Sequence, residues 1–275
     1  MAACLSFNGA LLLRRELARP FPVWHDLRVV AMPPFLLLRG GRLSRLLITC
    51  EHASNALLPG MKTDTASAAA LGSHWGWDIG IWDVVREVSR RLDATAVGGR
   101  YSRLVVDLNR DPSDPTLIRG SCGETRMPFN RGLSAREVVG RLRRVHAPYH
   151  DMIDQQLTRR VASGLRPFLI SFHSFTPFIH PRRRRFDTGV LYMDHARLAW
   201  RLGRALGAQG FSVRYNRPYS GREGLIYAAG RHGSFHQVPY LELELNQRGL
   251  GTSAGRRSTG RRAAAAIRSF LASFG

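Results

Sequence analysis

Short apolar runs alternate with segments of helical periodicity along most of the chain, from residue 46 onward. A continuous apolar run is typical of a buried strand, whereas apolar residues spaced three or four apart form one face of a helix. Strands are predicted at residues 46–50, 104–106, 168–172, 188–193, 211–215 and 240–245. Helices are predicted at residues 81–92, 134–161 and 198–206, and along a C-terminal stripe of Ile267, Phe270, Leu271 and Phe274.

This alternation predicts the fold class. Strands that alternate with helices favour an α/β domain, here a three-layer α/β/α sandwich around a mixed, mainly parallel sheet. Ser134 and Glu137 have the spacing of a capping box, which predicts where the second helix begins. In the last strand, strict alternation places Glu242 and Glu244 on one face. Residues 46–275 are therefore predicted to form a single domain.

The first 45 residues do not share this pattern. They contain seven arginines but only Glu16 and Asp26 as acids. Arginine-rich, acid-poor N-termini occur in organelle transit peptides, and Met32 is an alternative start. We predict that residues 1–45 are an N-terminal extension, either disordered or a wrongly assigned start, outside the folded domain.

The net charge of +21 suggests a nucleic-acid-binding protein. However, Lys62 is the only lysine among 41 basic residues, and phosphate-binding surfaces use both residue types. Near-total arginine usage favours coding bias in a GC-rich genome. A non-enzymatic binding protein that uses its arginine surface for nucleic acid or acidic partners stays as the alternative function.

The three cysteines share no CxxC spacing, which argues against a zinc ribbon or a disulfide framework. No stretch approaches eighteen uninterrupted apolar residues, so no transmembrane helix is predicted.

Polar residues follow three predicted strands, at the end where α/β sheets bind ligands. Glu51 and His52 follow the first strand, and His173 follows the third. Two histidines and a carboxylate would give a zinc ion three protein ligands and leave a fourth position for water, as in catalytic zinc sites. The sequence therefore predicts a metal site made from Glu51, His52 and His173.

Other charged residues near strand ends suggest the remaining parts of an active site. Glu244 is placed to act as a general base, although Glu242 lies on the same face and sequence alone does not separate them. Asn109 and Arg110 are suited to binding a substrate carboxylate. The arginines at 182–185 are typical of a solvated loop, although one of them could reach the site.

These motifs together resemble the N-formylglutamate amidohydrolase family. The matching segments are TCEHASN at 49–55, YSRLVVDLNR at 101–110, ISFHSFTP at 170–177, NRPYSG at 216–221, HG at 232–233 and ELEL at 242–245. They occur in the expected order, and the resemblance covers roughly residues 46–250.

The resemblance implies a zinc-dependent exopeptidase- or deacylase-like fold, of the phosphorylase/hydrolase type, that holds one divalent metal ion. It implies hydrolysis of an N-acyl amino acid, such as N-formyl-glutamate, to formate and the free amino acid. Such an enzyme would be cytoplasmic, would act in amino-acid catabolism on a small anionic substrate, and would have no specific nucleic-acid or membrane partner.

The resemblance also assigns roles. Glu244 would be the catalytic base, Arg103 would help either to place the substrate carboxylate or to stabilise the oxyanion, and Asn109 and Arg110 would hold the substrate. Asn55 stands where the wider group of deacylases has a glutamate ligand. The third metal ligand is therefore either Glu51 or Asn55.

Overall fold

A mixed sheet of seven strands forms the middle layer of the protein in this computed structural model, which describes residues 32–179 and 181–273. Along the chain its strands are β1 (Phe35–Leu38), β2 (Leu46–Cys50), β3 (Thr95–Gly99), β6 (Phe168–Phe175), β9 (Thr188–Leu191), β10 (Val213–Tyr215) and β11 (Tyr240–Asn246). Two hairpins lie outside the sheet: β4 (Ser121–Cys122) with β5 (Thr125–Arg126), and β7 (Phe178–Ile179) with β8 (Arg182–Arg183).

The strand order is β1-β3-β2-β6-β11-β9-β10. The four central strands, β3, β2, β6 and β11, run parallel. The edge strand β1 is antiparallel to β3, and β9 is antiparallel to β11. The sheet is therefore mixed and mainly parallel, which confirms the predicted fold class.

Helices cover both faces of the sheet. They are α1 (Thr65–Gly72), α2 (Ile81–Leu92), α3 (Ala135–Arg141), α4 (Ala147–Ala162), α5 (Ala196–Ala208), α6 (Tyr227–His236) and α7 (Ser253–Ala272). A π-helical turn, Leu142–His146, joins α3 to α4. The strongly amphipathic helices α2 and α5 pack with α7 on one face, and α4 and α6 pack on the other.

Alternate residues of the central strands contribute to two separate hydrophobic cores. In β2, for example, Ile48 faces the core of α2, α5 and α7, whereas Leu47 faces the core of α4 and α6. In β11, Leu243 belongs to the first core, so Glu242 and Glu244 point to the second face. Ser171 and His173 of β6 lie on that second face as well, because Ile170 and Phe172 belong to the first core.

Several predicted elements need correction. Phe35–Leu38, assigned above to the N-terminal extension, pairs with β3 as a strand of the sheet. Residues 104–106 are buried but form turns rather than a strand, and the strand β3 was not predicted. The strand β6 continues past His173 to Phe175. Phe274 and the rest of the predicted extension, residues 1–31, lie outside the described residues.

The helices agree with the predictions only in part: the one predicted at 134–161 is divided into α3, the π-helical turn and α4, and α1 and α6 were not predicted. The helix α2 has the predicted bounds, and Ser134 caps α3 in a capping box with Glu137. Among the described residues, no helix is long and apolar enough to cross a membrane.

Candidate active site

The site lies where β2, β6 and β11 approach their carboxyl ends. The parallel register of β6 and β11 sets His173 opposite Glu244 and Ser171 opposite Glu242. His52 is the second residue after β2. The imidazole rings of His52 and His173 meet edge to face, with centroids 4.8 Å apart, and both residues are buried.

Each of these histidines has one ring nitrogen against a buried carboxylate. Nε2 of His52 lies 2.7 Å from Oδ1 of Asp107, and Nε2 of His173 lies 2.8 Å from Oε2 of Glu51. The two Nδ1 atoms both face Asp78, at 3.7 Å from Oδ1 for His52 and 3.1 Å from Oδ2 for His173. Such carboxylate–histidine pairs orient the imidazoles of metal sites, because the bonded nitrogen carries the proton and the other is left to bind the ion.

Asp78 completes this group and was not predicted from the sequence. It lies in the turn before α2, where its backbone N–H donates to the carbonyl of His52 at 3.0 Å. The backbone N–H of Ser174 donates to its carboxylate at 2.8 Å. Gly80, with φ of +77°, turns the chain into the helix two residues later. The available signal was a single acid between Gly76 and Gly80, just before a strongly amphipathic helix.

The donor atoms of His52, Asp78 and His173 lie within 4.8 Å of one another, which suits one divalent ion. Nδ1 of His52 is buried and has no hydrogen-bond partner among the described residues. Because an unpartnered buried polar atom is costly, this nitrogen indicates a missing ligand. The group therefore fits a metal ion, and its two nitrogens and one carboxylate suit zinc.

Glu51 has all its hydrogen bonds within the protein. Its carboxylate accepts from Tyr149 at 2.8 Å and from Ser171 at 2.6 Å, in addition to His173. Burial alone would raise the pKa of Glu51, but these hydrogen bonds and the nearby charge of His173 lower it to about 2. Asn55 is half-buried and forms no hydrogen bond with either histidine among the described residues.

Glu242 and Glu244 bring two further carboxylates into the site. Burial and neighbouring acids raise the pKa of Glu242 to about 7 and that of Glu244 well above its usual range. One oxygen of each, Oε2, has no hydrogen-bond partner among the described residues. Glu242, Asp78 and Glu51 raise the pKa of His173 despite its burial. This excess of buried negative charge is what a cation would neutralise.

Three of the predicted residues lie around Asp107. The guanidinium of Arg103 contacts Oδ2 of Asp107 at 2.6 Å, and Nη1 of Arg110 lies 3.3 Å from Asp114. The side chain of Asn109 donates to the carbonyl of Leu225 at 3.3 Å. It also accepts from the backbone N–H of Ala228 at 2.9 Å. Its amide is thus bonded to the beginning of α6 rather than free for a ligand.

The fold and the site together define an α/β protein with a buried histidine–carboxylate group beyond the carboxyl ends of its strands, where such sheets bind ligands. The chain belongs to the N-formylglutamate amidohydrolase family, because the sequence profile of that family matches residues 44–250. This match confirms the resemblance of its motifs.

Individual relatives agree with this assignment. The chain is 30% identical over 154 residues to N-formylglutamate deformylase from Pseudomonas aeruginosa. That alignment covers 52% of this chain and spans just over half, 56%, of the relative.

Two solved structures share the fold. The gene product Atu2144 from Agrobacterium tumefaciens superimposes with a TM-score of 0.81 at 26% identity, over 88% of this chain and 96% of the other. N-formylglutamate amidohydrolase from Ralstonia eutropha JMP134 superimposes with a TM-score of 0.69 at 20% identity, over 88% of this chain and 98% of the other.

Proposed function

We propose that the protein is a zinc-dependent amidohydrolase that cleaves an N-formyl amino acid, with N-formylglutamate as substrate, to formate and the free amino acid. One observation carries this proposal. In a chain of the N-formylglutamate amidohydrolase family, both buried histidines direct Nε2 to a carboxylate and Nδ1 towards Asp78.

We assign the metal to His52, Asp78 and His173, with Asp78 in place of Glu51 or Asn55. Glu51 supports this choice because its carboxylate already accepts three hydrogen bonds. Glu51 and Asp107 then hold the two imidazoles in the orientation and tautomer that binding requires. Zinc at such a site polarises a carbonyl and lowers the pKa of bound water.

Glu244 is the proposed general base, which takes a proton from the attacking water and passes it to the leaving amine. Its position favours it over Glu242. Glu242 lies 3.5 Å from Nε2 of His173, the nitrogen that faces away from Asp78. Glu244 lies two residues nearer the carboxyl end of β11, opposite His173 in the strand register.

The arginines beside the site supply positive charge for an anionic substrate. Arg103 is proposed to stabilise the negative charge that develops on the carbonyl oxygen. Arg110 is proposed to bind the α-carboxylate, because its guanidinium is partly exposed and retains free donors. Asn109 positions the loop that carries Arg110 by bonding to the beginning of α6.

The test is formate release from N-formyl-L-glutamate, measured together with zinc content. A chelator should abolish activity, and added zinc should restore it. Asp78→Asn should lose both zinc and activity, whereas Asn55→Ala should keep its zinc. Full zinc occupancy in Asp78→Asn would refute the ligand assignment.

A second pair of variants tests the base. Glu244→Gln should keep its zinc but lose roughly 100- to 10,000-fold in kcat, as is typical when a general base is removed. Glu242→Gln is the matched comparison on the same strand face. A larger loss of kcat in Glu242→Gln than in Glu244→Gln would reverse the assignment.

A further inference from the structure

The arginine run at 182–185 brings one guanidinium to the carboxyl end of the sheet. The backbone carbonyl of Arg184 accepts from the side chain of Asn246 at 3.2 Å. Asn246 ends β11, two residues beyond Glu244. Nη1 of Arg184 donates to the backbone oxygen of Thr176 at 3.2 Å, and Thr176 follows β6 three residues after His173. Arg184 is thus tied to the ends of both strands that carry the site.

Two aromatic rings hold this guanidinium in place. Its central carbon lies 5.5 Å from the ring centroid of Phe175 and 5.3 Å from that of Tyr219. A guanidinium packed against aromatic faces keeps its planar edge available for a carboxylate. Both hydrogen bonds from the Arg184 side chain to Thr176 come from Nη1, so the N–H groups on Nε and Nη2 do not bond to Thr176.

Arg184 differs from the other arginines of the site in having no acidic partner. Arg103 pairs with Asp107 and Arg110 pairs with Asp114. Within residues 32–179 and 181–273, no carboxylate pairs with Arg184. A half-buried guanidinium that is fixed in position but lacks a carboxylate is prepared to bind one from a ligand.

The positive charge of Arg184 affects the pKa of two residues near the site. The pKa of His74 is lowered, first by burial and then by the charges of Arg103 and Arg184. The pKa of Tyr219 is raised, first by burial and then by Glu244, while Arg184 opposes this rise. Arg184 and Glu244 therefore both act on the phenol of Tyr219, whose ring lies 5.3 Å from the guanidinium.

We propose that Arg184 binds the side-chain carboxylate of the substrate, so that the enzyme selects N-formyl derivatives of acidic amino acids. This inference rests on the proposed function. A substrate such as N-formylglutamate has two carboxylates and needs two cationic partners. Arg110 serves the α-carboxylate, and Arg184, held between Phe175 and Tyr219, serves the second.

The experiment compares N-formyl-L-glutamate with N-formyl-L-glutamine, which has the same shape but an uncharged side chain. Arg184→Gln should lower kcat/KM for N-formyl-L-glutamate about 10- to 100-fold, the value of a charge-assisted hydrogen bond. It should leave N-formyl-L-glutamine unchanged. Arg184→Lys should lose less, because it keeps the charge without the fork of donors.

Arg185→Gln is the matched control, because Arg185 is the exposed neighbour and its loss changes the net charge equally. It should leave kcat/KM for both substrates unchanged. The proposal would be overturned if Arg184→Gln lowered kcat/KM equally for the two substrates, or if Arg184→Gln and Arg185→Gln had equal effects. In either case, formate release by the wild type would still support the proposed function.

If the wild-type protein releases formate from neither substrate, the proposed function fails and the subsite is tested separately. Glutarate binding is then measured by calorimetry on the zinc-loaded wild type and both variants. Weaker binding in Arg184→Gln alone would support the carboxylate subsite. Equal binding in all three proteins, or no binding to the wild type, would refute it.

Discussion

Hydrogen-bond partners, rather than residue type, separate the roles of the buried acids in this site. Glu51 accepts three hydrogen bonds, so its carboxylate is fully engaged in orienting His173. Asp78 faces Nδ1 of both histidines, bonded to that of His173 and 3.7 Å from the unpartnered Nδ1 of His52, which suits a proposed ligand. Glu244 keeps an unpartnered oxygen beside His173, which is available to accept a proton, as the proposed general base must.

A buried histidine behind the site predicts a pH dependence of stability. Nε2 of His146 lies 3.1 Å from the carbonyl oxygen of Arg110, and burial lowers the pKa of His146 to about 4. An unfolded histidine titrates near 6.5, so between these values the unfolded state binds more protons than the native state. The free energy of unfolding should therefore fall as pH drops from 6.5 to 4.

The prediction is checked by urea unfolding of the wild type and His146→Gln at pH 6.5 and 4.5. Over this interval the wild type should lose about 2 to 3 kcal/mol more than the variant, because one proton is worth about 1.4 kcal/mol per pH unit. Parallel pH profiles for the two proteins would contradict the buried, neutral state of His146.

Elements with strong periodicity were predictable, and those that depend on close packing were not. The helix α2 has the predicted bounds because its apolar stripe is local information. The strand β3 was missed because it ends in Gly98 and Gly99, which are poor strand formers. The structure gives the reason for Gly99, since a Cβ there would lie 2.1 Å from the carbonyl oxygen of Glu51.

The opposite error occurred at residues 104–106, where an apolar run is buried without a strand partner. Side chains satisfy its backbone instead: Asn130 donates to the carbonyl of Leu104 at 2.8 Å, and Arg141 donates to that of Val105 at 2.9 Å. Such long-range side-chain partners leave no periodic signal in the sequence.

This arrangement predicts that Asn130 is important for stability. Asn130→Ala should reduce the free energy of unfolding by about 2 to 3 kcal/mol, because it leaves the buried Leu104 carbonyl without a partner and removes one of the acceptors of the Arg141 guanidinium. Glu124→Ala, at an exposed position in the same segment, is the control and should change stability by less than about 0.5 kcal/mol. Equal urea midpoints for the two variants would show that the loop is held in another way.

Part of the high positive charge of the protein lies in its interior. Arg141 and Arg160 are buried and donate to backbone carbonyls, so these charges do not form a binding surface. The acids that are buried among the described residues, in contrast, lie around His52 and His173: Glu51, Asp78, Asp107, Glu242 and Glu244. The protein thus combines an arginine-rich exterior with an acidic centre, which a bound cation would stabilise.

Metal binding should therefore stabilise the whole fold. Zinc in large excess should raise the melting temperature measured by calorimetry, because a ligand at about 1,000 times its Kd adds about 4 kcal/mol to the native state. The increase should disappear in Asp78→Asn and persist in Asn55→Ala. An equal increase in Asp78→Asn would show that zinc binds elsewhere.

The sequence alone determined the layered fold, and it also identified His52, His173 and Glu244 as candidate site residues near strand ends. Periodicity and strand ends are local properties, so they can be read without knowing which elements are neighbours. Only the tertiary structure brought Asp78 to the histidines, set Glu51 behind them and singled out Arg184 from its run. These positions depend on contacts between segments that are distant in the chain, and no local pattern encodes such contacts.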